Sequence, residues 1–156
     1  CTEQEEEVEF KITLIEGSVA IAEPGKTANF TLRLSLSRPY GTTFKVMGVE
    51  GNWQGFASNM SVSSDFDVHI IDVRVLVPEN ASASDVFPGG RSGDWNETGF
   101  NYETAEVMYK YSFDNGPSGK SSIPLRIYVD PEGEIRDEFY MARRTEEVKK
   151  ITFRPE

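Results

Sequence analysis

Beyond its first residue this chain has no cysteine, so no internal disulfide can form and no cysteine-based metal site can be built. It has a single histidine, His69, and two tryptophans, Trp53 and Trp95. Lys and Arg number 16 against 26 Asp and Glu, a formal net charge of −10, which leaves no basic stripe to displace counterions from a nucleic acid. The one local gathering of cations, Arg143, Arg144, Lys149 and Lys150, is interrupted by Glu146 and Glu147 and reads as a solvated face. No apolar run approaches the ~20 residues of a membrane-spanning helix. Missing too are an HExxH pair, a calcium loop, a Ser-His-Asp order and any pair of carboxylates that stands out from the rest. The expectation is a protein with no metal, no cofactor, no nucleic-acid partner and no catalytic residues, and therefore not an enzyme.

One near-match has to be discounted. Asn115-Gly116-Pro117-Ser118-Gly119-Lys120-Ser121 resembles a phosphate-cradling loop, but the first glycine of that pattern falls on Asp114. The segment after Ser121 carries Pro124 within an alternating strand pattern, where the motif needs a helix N-terminus aimed at phosphate. The stretch is a hairpin turn. Val107, Tyr109, Tyr111 and Phe113 precede it on one face, and Ile123, Leu125, Ile127 and Val129 follow it on one face, the period of half-buried β-structure. Pro124, without a backbone donor, places the second strand at a sheet edge or leaves its first residues unpaired.

The rest of the chain carries the same signal. Val8, Phe10, Ile12 and Leu14 alternate, and Glu16-Gly17 turns the chain toward a short segment at Val19 and Ile21. Pro24 and Gly25 sit where a turn wants a fixed φ and then a positive one. Phe30, Leu32, Leu34 and Leu36 share a face, a turn is expected over Ser37 to Gly41, and Phe44 and Val46 lie in phase beyond it. In the strand from Val68 to Val77 the adjacent Ile70 and Ile71 break the alternation, which a bulge or burial on both faces would explain. The lone His69 within it is read as structural. Pro78 to Glu103 is rich in Gly, Pro, Asp, Asn and Ser and much longer than the usual 4–6 residues of a connection, with Trp95 and Phe100 placed to pack down or to contact a ligand. Ile135, Phe139 and Ala142 share a helical face while Phe139 and Met141 also alternate, so a strand or irregular excursion competes with a short helix near 134–147 before a last strand at Val148 to Phe153.

At 156 residues the chain fits one domain able to bury about 68–70% of its unfolded surface. About 7–9 short strands with turns between them read as an all-β fold, an immunoglobulin-like antiparallel β-sandwich spanning residues 8–156. Residues 1–7 form an acidic tether: Cys1, then Thr2 to Glu7 with too little apolar surface to order themselves. A cysteine at the first position followed by such a spacer is the form of a bacterial lipoprotein after removal of its signal peptide, with the thiol acylated as the point of lipid attachment. A rival origin rests on four Asn-x-Ser/Thr sequons, at Asn29, Asn59, Asn80 and Asn96, as in a glycosylated secreted protein.

Cys1 with its acidic spacer, the Pro24-Gly25-Lys26-Thr27 turn, Tyr109-Lys110-Tyr111-Ser112 before a polar turn, Ile123 to Val129 and the closing Ile151-Thr152-Phe153 together resemble the TraQ-type lipoproteins encoded by conjugative transposons of Bacteroidetes. The resemblance covers both ends of the chain and implies an Ig-like fold, an outer-membrane-anchored place in the cell envelope, periplasmic or surface-exposed, and association with a DNA-transfer apparatus. It brings no catalytic residues. Two functions are expected from the residues. One is a non-enzymatic, membrane-tethered interaction module with an unknown protein partner. The other is a carbohydrate-binding surface lipoprotein holding polysaccharide through exposed aromatics, Trp53 and Trp95 with nearby Asn and Asp; Trp53, Trp95 and Phe100 are the candidate contacts for a ligand or a partner.

Overall fold

The computed structural model describes residues 6–82, 103–131 and 145–155. They form eight strands: β1 (Val8–Ile15), β2 (Val19–Ala22), β3 (Thr27–Gly51), β4 (Gly55–Ser58), β5 (Ser61–Leu76), β6 (Glu103–Phe113), β7 (Ser118–Val129) and β8 (Glu146–Phe153). The main hydrogen-bonded path runs β2-β7-β6-β3-β1-β8, with β5 joined to β3 and β4 to β5. Every pairing is antiparallel except that of β2 with β7.

Two long strands turn this one sheet into a sandwich. The first half of β3, 27–36, pairs with β1 and with the second half of β5; its second half, 42–51, pairs with β6, and the first half of β5 pairs alongside it. One layer is thus β8, β1, early β3, late β5 and β4, and the other is β2, β7, β6, late β3 and early β5. The layers face each other through aromatic rings. Phe10 on β1 meets Phe113 on β6 at 5.3 Å edge to face and Phe44 on late β3 at 6.2 Å, while Phe153 on β8 lies 4.7 Å from Phe113. Phe44 stacks in turn on Tyr109 at 5.2 Å. Alternation placed these residues inward: Phe10, Ile12, Leu14, Leu32, Leu34, Phe44, Leu125 and Ile127 are fully buried. The chain is the all-β, immunoglobulin-like sandwich that its strand pattern led one to expect.

Three local expectations need correction or completion. Ser37 to Gly41 is no turn between strands: β3 runs unbroken through it. The register slips there, Ser35 facing Val68 and Tyr40 facing Phe66, so Ser37, Arg38 and Pro39 have no partner on β5. Pro39, which could not donate to a ladder, stands where none is formed. On β5 that slip falls at Asp67, before Val68; from Val68 to Leu76 the ladder is regular, Ile71 points into the core and Ile70 is 37% exposed, so the adjacent isoleucines mark neither a bulge nor burial on both faces. Toward the C-terminus, the helix considered near 134–147 has its last residues, Glu146 and Glu147, in β8, and 132–144 lie outside the described residues.

Other turns are as their residues imply. Gly25 takes φ +82° and donates to the Val77 carbonyl at 2.9 Å. After Phe113 the chain turns at Asp114 and Asn115, the latter at φ +52°, and enters a strand at Ser118, so no helix dipole is aimed into the Gly-Lys-Ser turn. Pro124 pairs only on its β6 side, facing Glu106, while β2 covers β7 from Arg126 onward. β7 is an edge strand at Pro124.

Candidate functional site

The outward face of β4 and late β5 carries side chains that a sandwich would ordinarily keep polar. Phe56, Val68, Ile70 and Leu76 are between 37% and 44% exposed. On β5 the residues Val68, Ile70, Asp72, Arg74 and Leu76 share the outward phase, and β4 sets Phe56 opposite Arg74 and Ser58 opposite Asp72. Early β3 continues the rows with Asn29 opposite Arg74 and Thr31 opposite Asp72. The face therefore has a polar middle, Asn29, Thr31, Ser58, Asp72 and Arg74, with Phe56 and Leu76 at one end and Val68 and Ile70 at the other.

The middle is hollow. A depression of about 380 Å³ is lined by Asn29, Thr31, Ser58, Asp72 and Arg74 over the backs of Phe30 and Val73. A second, of about 320 Å³, adjoins it where β1 leaves its layer for β2, lined by Ile15, Glu16, Val19, Ile21, Thr27, Asn29 and Thr31. It exists because β1 pairs with β3 only as far as Ile15 opposite Thr31, which leaves the Thr27 to Asn29 edge of β3 uncovered by β1. Thr31 Oγ1 donates to Asp72 Oδ1 at 3.3 Å, holding one rim of the first depression.

A tight β4-β5 turn fixes this face. Asn59 adopts φ +56°, a conformation asparagine tolerates better than most residues, and its side-chain amide donates to the Ile70 carbonyl at 3.3 Å. His69 Nε2 lies 3.0 Å from the Asn59 carbonyl, an acceptor that selects the Nε2–H tautomer. The lone histidine thus clips a turn. Among the described residues no three His, Cys, Asp or Glu side chains gather in a way that could hold a metal ion.

Of the residues expected to make contacts, one is among the described residues. Trp53 sits in the short loop between β3 and β4, half-buried against the edge of the core. Cys1, Trp95 and Phe100 lie outside the described residues. The exposed apolar side chains of β4 and β5 were not singled out in the sequence. Their signal was present in the even-numbered phase of Val68, Ile70 and Leu76, but it lay beside the stronger odd-numbered phase of Ile71, Val73 and Val75. Asn29 of the first sequon points outward, so its place within a strand does not by itself bar modification.

No family model matches this chain, and no curated protein sequence does. Among solved structures it is similar to a family 123 glycoside hydrolase from Clostridium perfringens, with 8% identity and a TM-score of 0.38 over 73% of this chain and 22% of that one. It is also similar to the periplasmic chaperone SfaE, with 9% identity and a TM-score of 0.41 over 78% of this chain and 57% of that one. The chain spans less than two thirds of either structure, and likenesses at these values say nothing about its activity or partners.

Proposed function

We propose that this protein is a non-enzymatic interaction module of the bacterial cell envelope, tethered through a lipid at Cys1, that binds a protein partner on the outward face of β4 and β5. The observation that carries the reading is the grouping of Phe56, Val68, Ile70 and Leu76 on one open sheet face. Exposed apolar side chains scattered singly need no explanation, whereas a group set around a polar middle has the composition of a protein contact. The polar row would fix register while the flanking side chains supply buried area.

The tether fits the geometry of this proposal. Val8 pairs with Phe153, Glu9 N–H donates to Ser37 Oγ at 2.9 Å, and Tyr40 donates its hydroxyl to the Asp114 carbonyl, so Glu6 and Glu7 leave the sandwich beside the 114–117 turn and Arg154. A lipid on Cys1 would hold the molecule by that end and leave Phe56 and Leu76, at the far end of the β4-β5 face, clear of the membrane. The TraQ-type resemblance adds a partner within a DNA-transfer apparatus to the proposal.

A photo-crosslinking residue placed at Phe56 or Ile70 in cells should capture a defined protein, and the same residue at Asn115 should not. Equal capture from all three positions would rule out the face. Clickable fatty acid should label the native chain and fail to label Cys1→Ser; undiminished labelling of that variant would remove the tether without touching the binding face.

A further inference from the structure

The opposite face of the sandwich holds a feature that only strand register creates. Lys45 on β3 lies directly across from Lys110 on β6, and Lys110 lies directly across from Lys120 on β7. All three are exposed. With strands about 4.8 Å apart, three ammonium groups stand in one row about 10 Å wide. Like charges directly opposite each other destabilise a sheet, so the row is a cost to folding. Among the described residues none of the three forms an ion pair that would relieve it, although Lys11 and Lys150 on the other layer both reach Glu9, at 3.8 and 3.2 Å. Along these strands the acids Glu106 on β6 and Asp65 on β5 start four residues from the row's level. Glu106 reaches toward the row and is held by Ser122 Oγ, which donates to its carboxylate at 3.2 Å, without pairing with any of the three lysines. This concentration of positive charge belongs to a chain whose net charge is −10.

The adjacent row is made of hydroxyls. Ser63, Thr43, Ser112 and Ser118 lie opposite one another across β5, β3, β6 and β7, and Thr43 Oγ1 and Ser63 Oγ are 3.1 Å apart. Ser61 extends the lysine row itself by facing Lys45. A flat surface with a line of cations beside a line of groups that both donate and accept hydrogen bonds has no enclosure for a small ion.

We infer that this face binds an extended acidic polysaccharide, its carboxylates or sulfates on Lys45, Lys110 and Lys120 and its sugar hydroxyls on Thr43, Ser112 and Ser118. Charge complementarity selects the class, and shape selects the chain. An anionic bilayer would have to approach the acidic remainder of the molecule as well as the row, and be repelled by it, whereas a single glycan strand can lie along the row alone. The inference is independent of the apolar face across the sandwich and differs from an aromatic sugar platform at Trp53.

Affinity electrophoresis of the full chain through gels containing dextran sulfate or polygalacturonate, with neutral dextran as the blank, tests it. The native protein should be retarded by at least one acidic polymer, released by added salt, and unaffected by neutral dextran. The triple variant Lys45→Gln/Lys110→Gln/Lys120→Gln should bind about tenfold more weakly or worse, while Lys11→Gln/Lys150→Gln keeps native retardation. Because the triple variant removes opposed like charges, its thermal midpoint should equal or exceed the native one, which separates lost binding from lost fold. Retardation of the triple variant equal to native, or absence of retardation of the native chain by both acidic polymers, overturns the inference. Binding to phosphatidylglycerol vesicles with indifference to both polymers also overturns it and makes the row a membrane contact.

Discussion

Removing the Phe10 ring should cost more than any other single truncation on β1, because Phe10 is the β1 ring that reaches the facing layer. It is fully buried, 5.3 Å from Phe113 and 6.2 Å from Phe44, both in the facing layer. Phe10→Ala should destabilise by about 3–5 kcal/mol from lost transfer energy and the cavity left behind. Of that, roughly 0.5–1.5 kcal/mol per ring pair reflects aromatic geometry rather than area. For a chain of this length each kcal/mol moves the midpoint by about 2–4 °C, so the expected fall is roughly 6–20 °C. Phe10→Leu, which refills most of the volume, should cost about 1–2 kcal/mol. Urea and thermal unfolding followed by circular dichroism measure all of this, with Phe56→Ala as the surface comparison, expected within about 0.5 kcal/mol of native. If Phe10→Ala and Phe56→Ala shift the midpoint equally, the two layers do not pack as described.

Other consequences are as accessible. Burial raises the Tyr109 hydroxyl above its ordinary value of 10.0, opposed in part by its hydrogen bond to Ser121. A folded pKa above the unfolded one gives stability that is full below pH 10 and lost as pH rises through the folded value, so native stability should fall above pH 10 more steeply than that of Tyr109→Phe, as read by urea midpoints across alkaline pH. A Cβ on Gly116 would meet the Phe153 ring at 2.6 Å and Phe113 Cβ at 3.1 Å, so Gly116→Ala should destabilise by about 1–3 kcal/mol, and less so in a Phe153→Ala background. His69→Ala, by removing the 3.0 Å contact to the Asn59 carbonyl, should cost about 0.5–1.5 kcal/mol and speed amide exchange at the β4-β5 turn.

What could be read from the sequence was whatever depends on near neighbours. The inward phases of β1, early β3, β6 and β7, the positive φ of Gly25 and the edge position at Pro124 follow from periodicity and backbone chemistry within a few residues. The continuity of β3 through Ser37 to Gly41 does not, since the same residues suit a turn or a bulge. What decides between them is that β5 resumes pairing with Phe66 opposite Tyr40. The short β4, with Gly55 and Ser58 at its ends, has little strand character of its own and exists through its pairing to β5. Register is also why neither surface was anticipated. Lys45, Lys110 and Lys120 are far apart in the chain and become neighbours only across three strands, and Phe56 joins Leu76 only because β4 folds onto β5.

Because β3 and β5 each run through both layers, the sandwich has no seam along which its halves could slide. Opening one layer means breaking a ladder that the other also uses, so amides on both halves of β3 should exchange together and only when the whole domain unfolds. The apolar face and the lysine row are therefore fixed to one rigid frame, and an occupant on either side meets a surface whose spacing is already set.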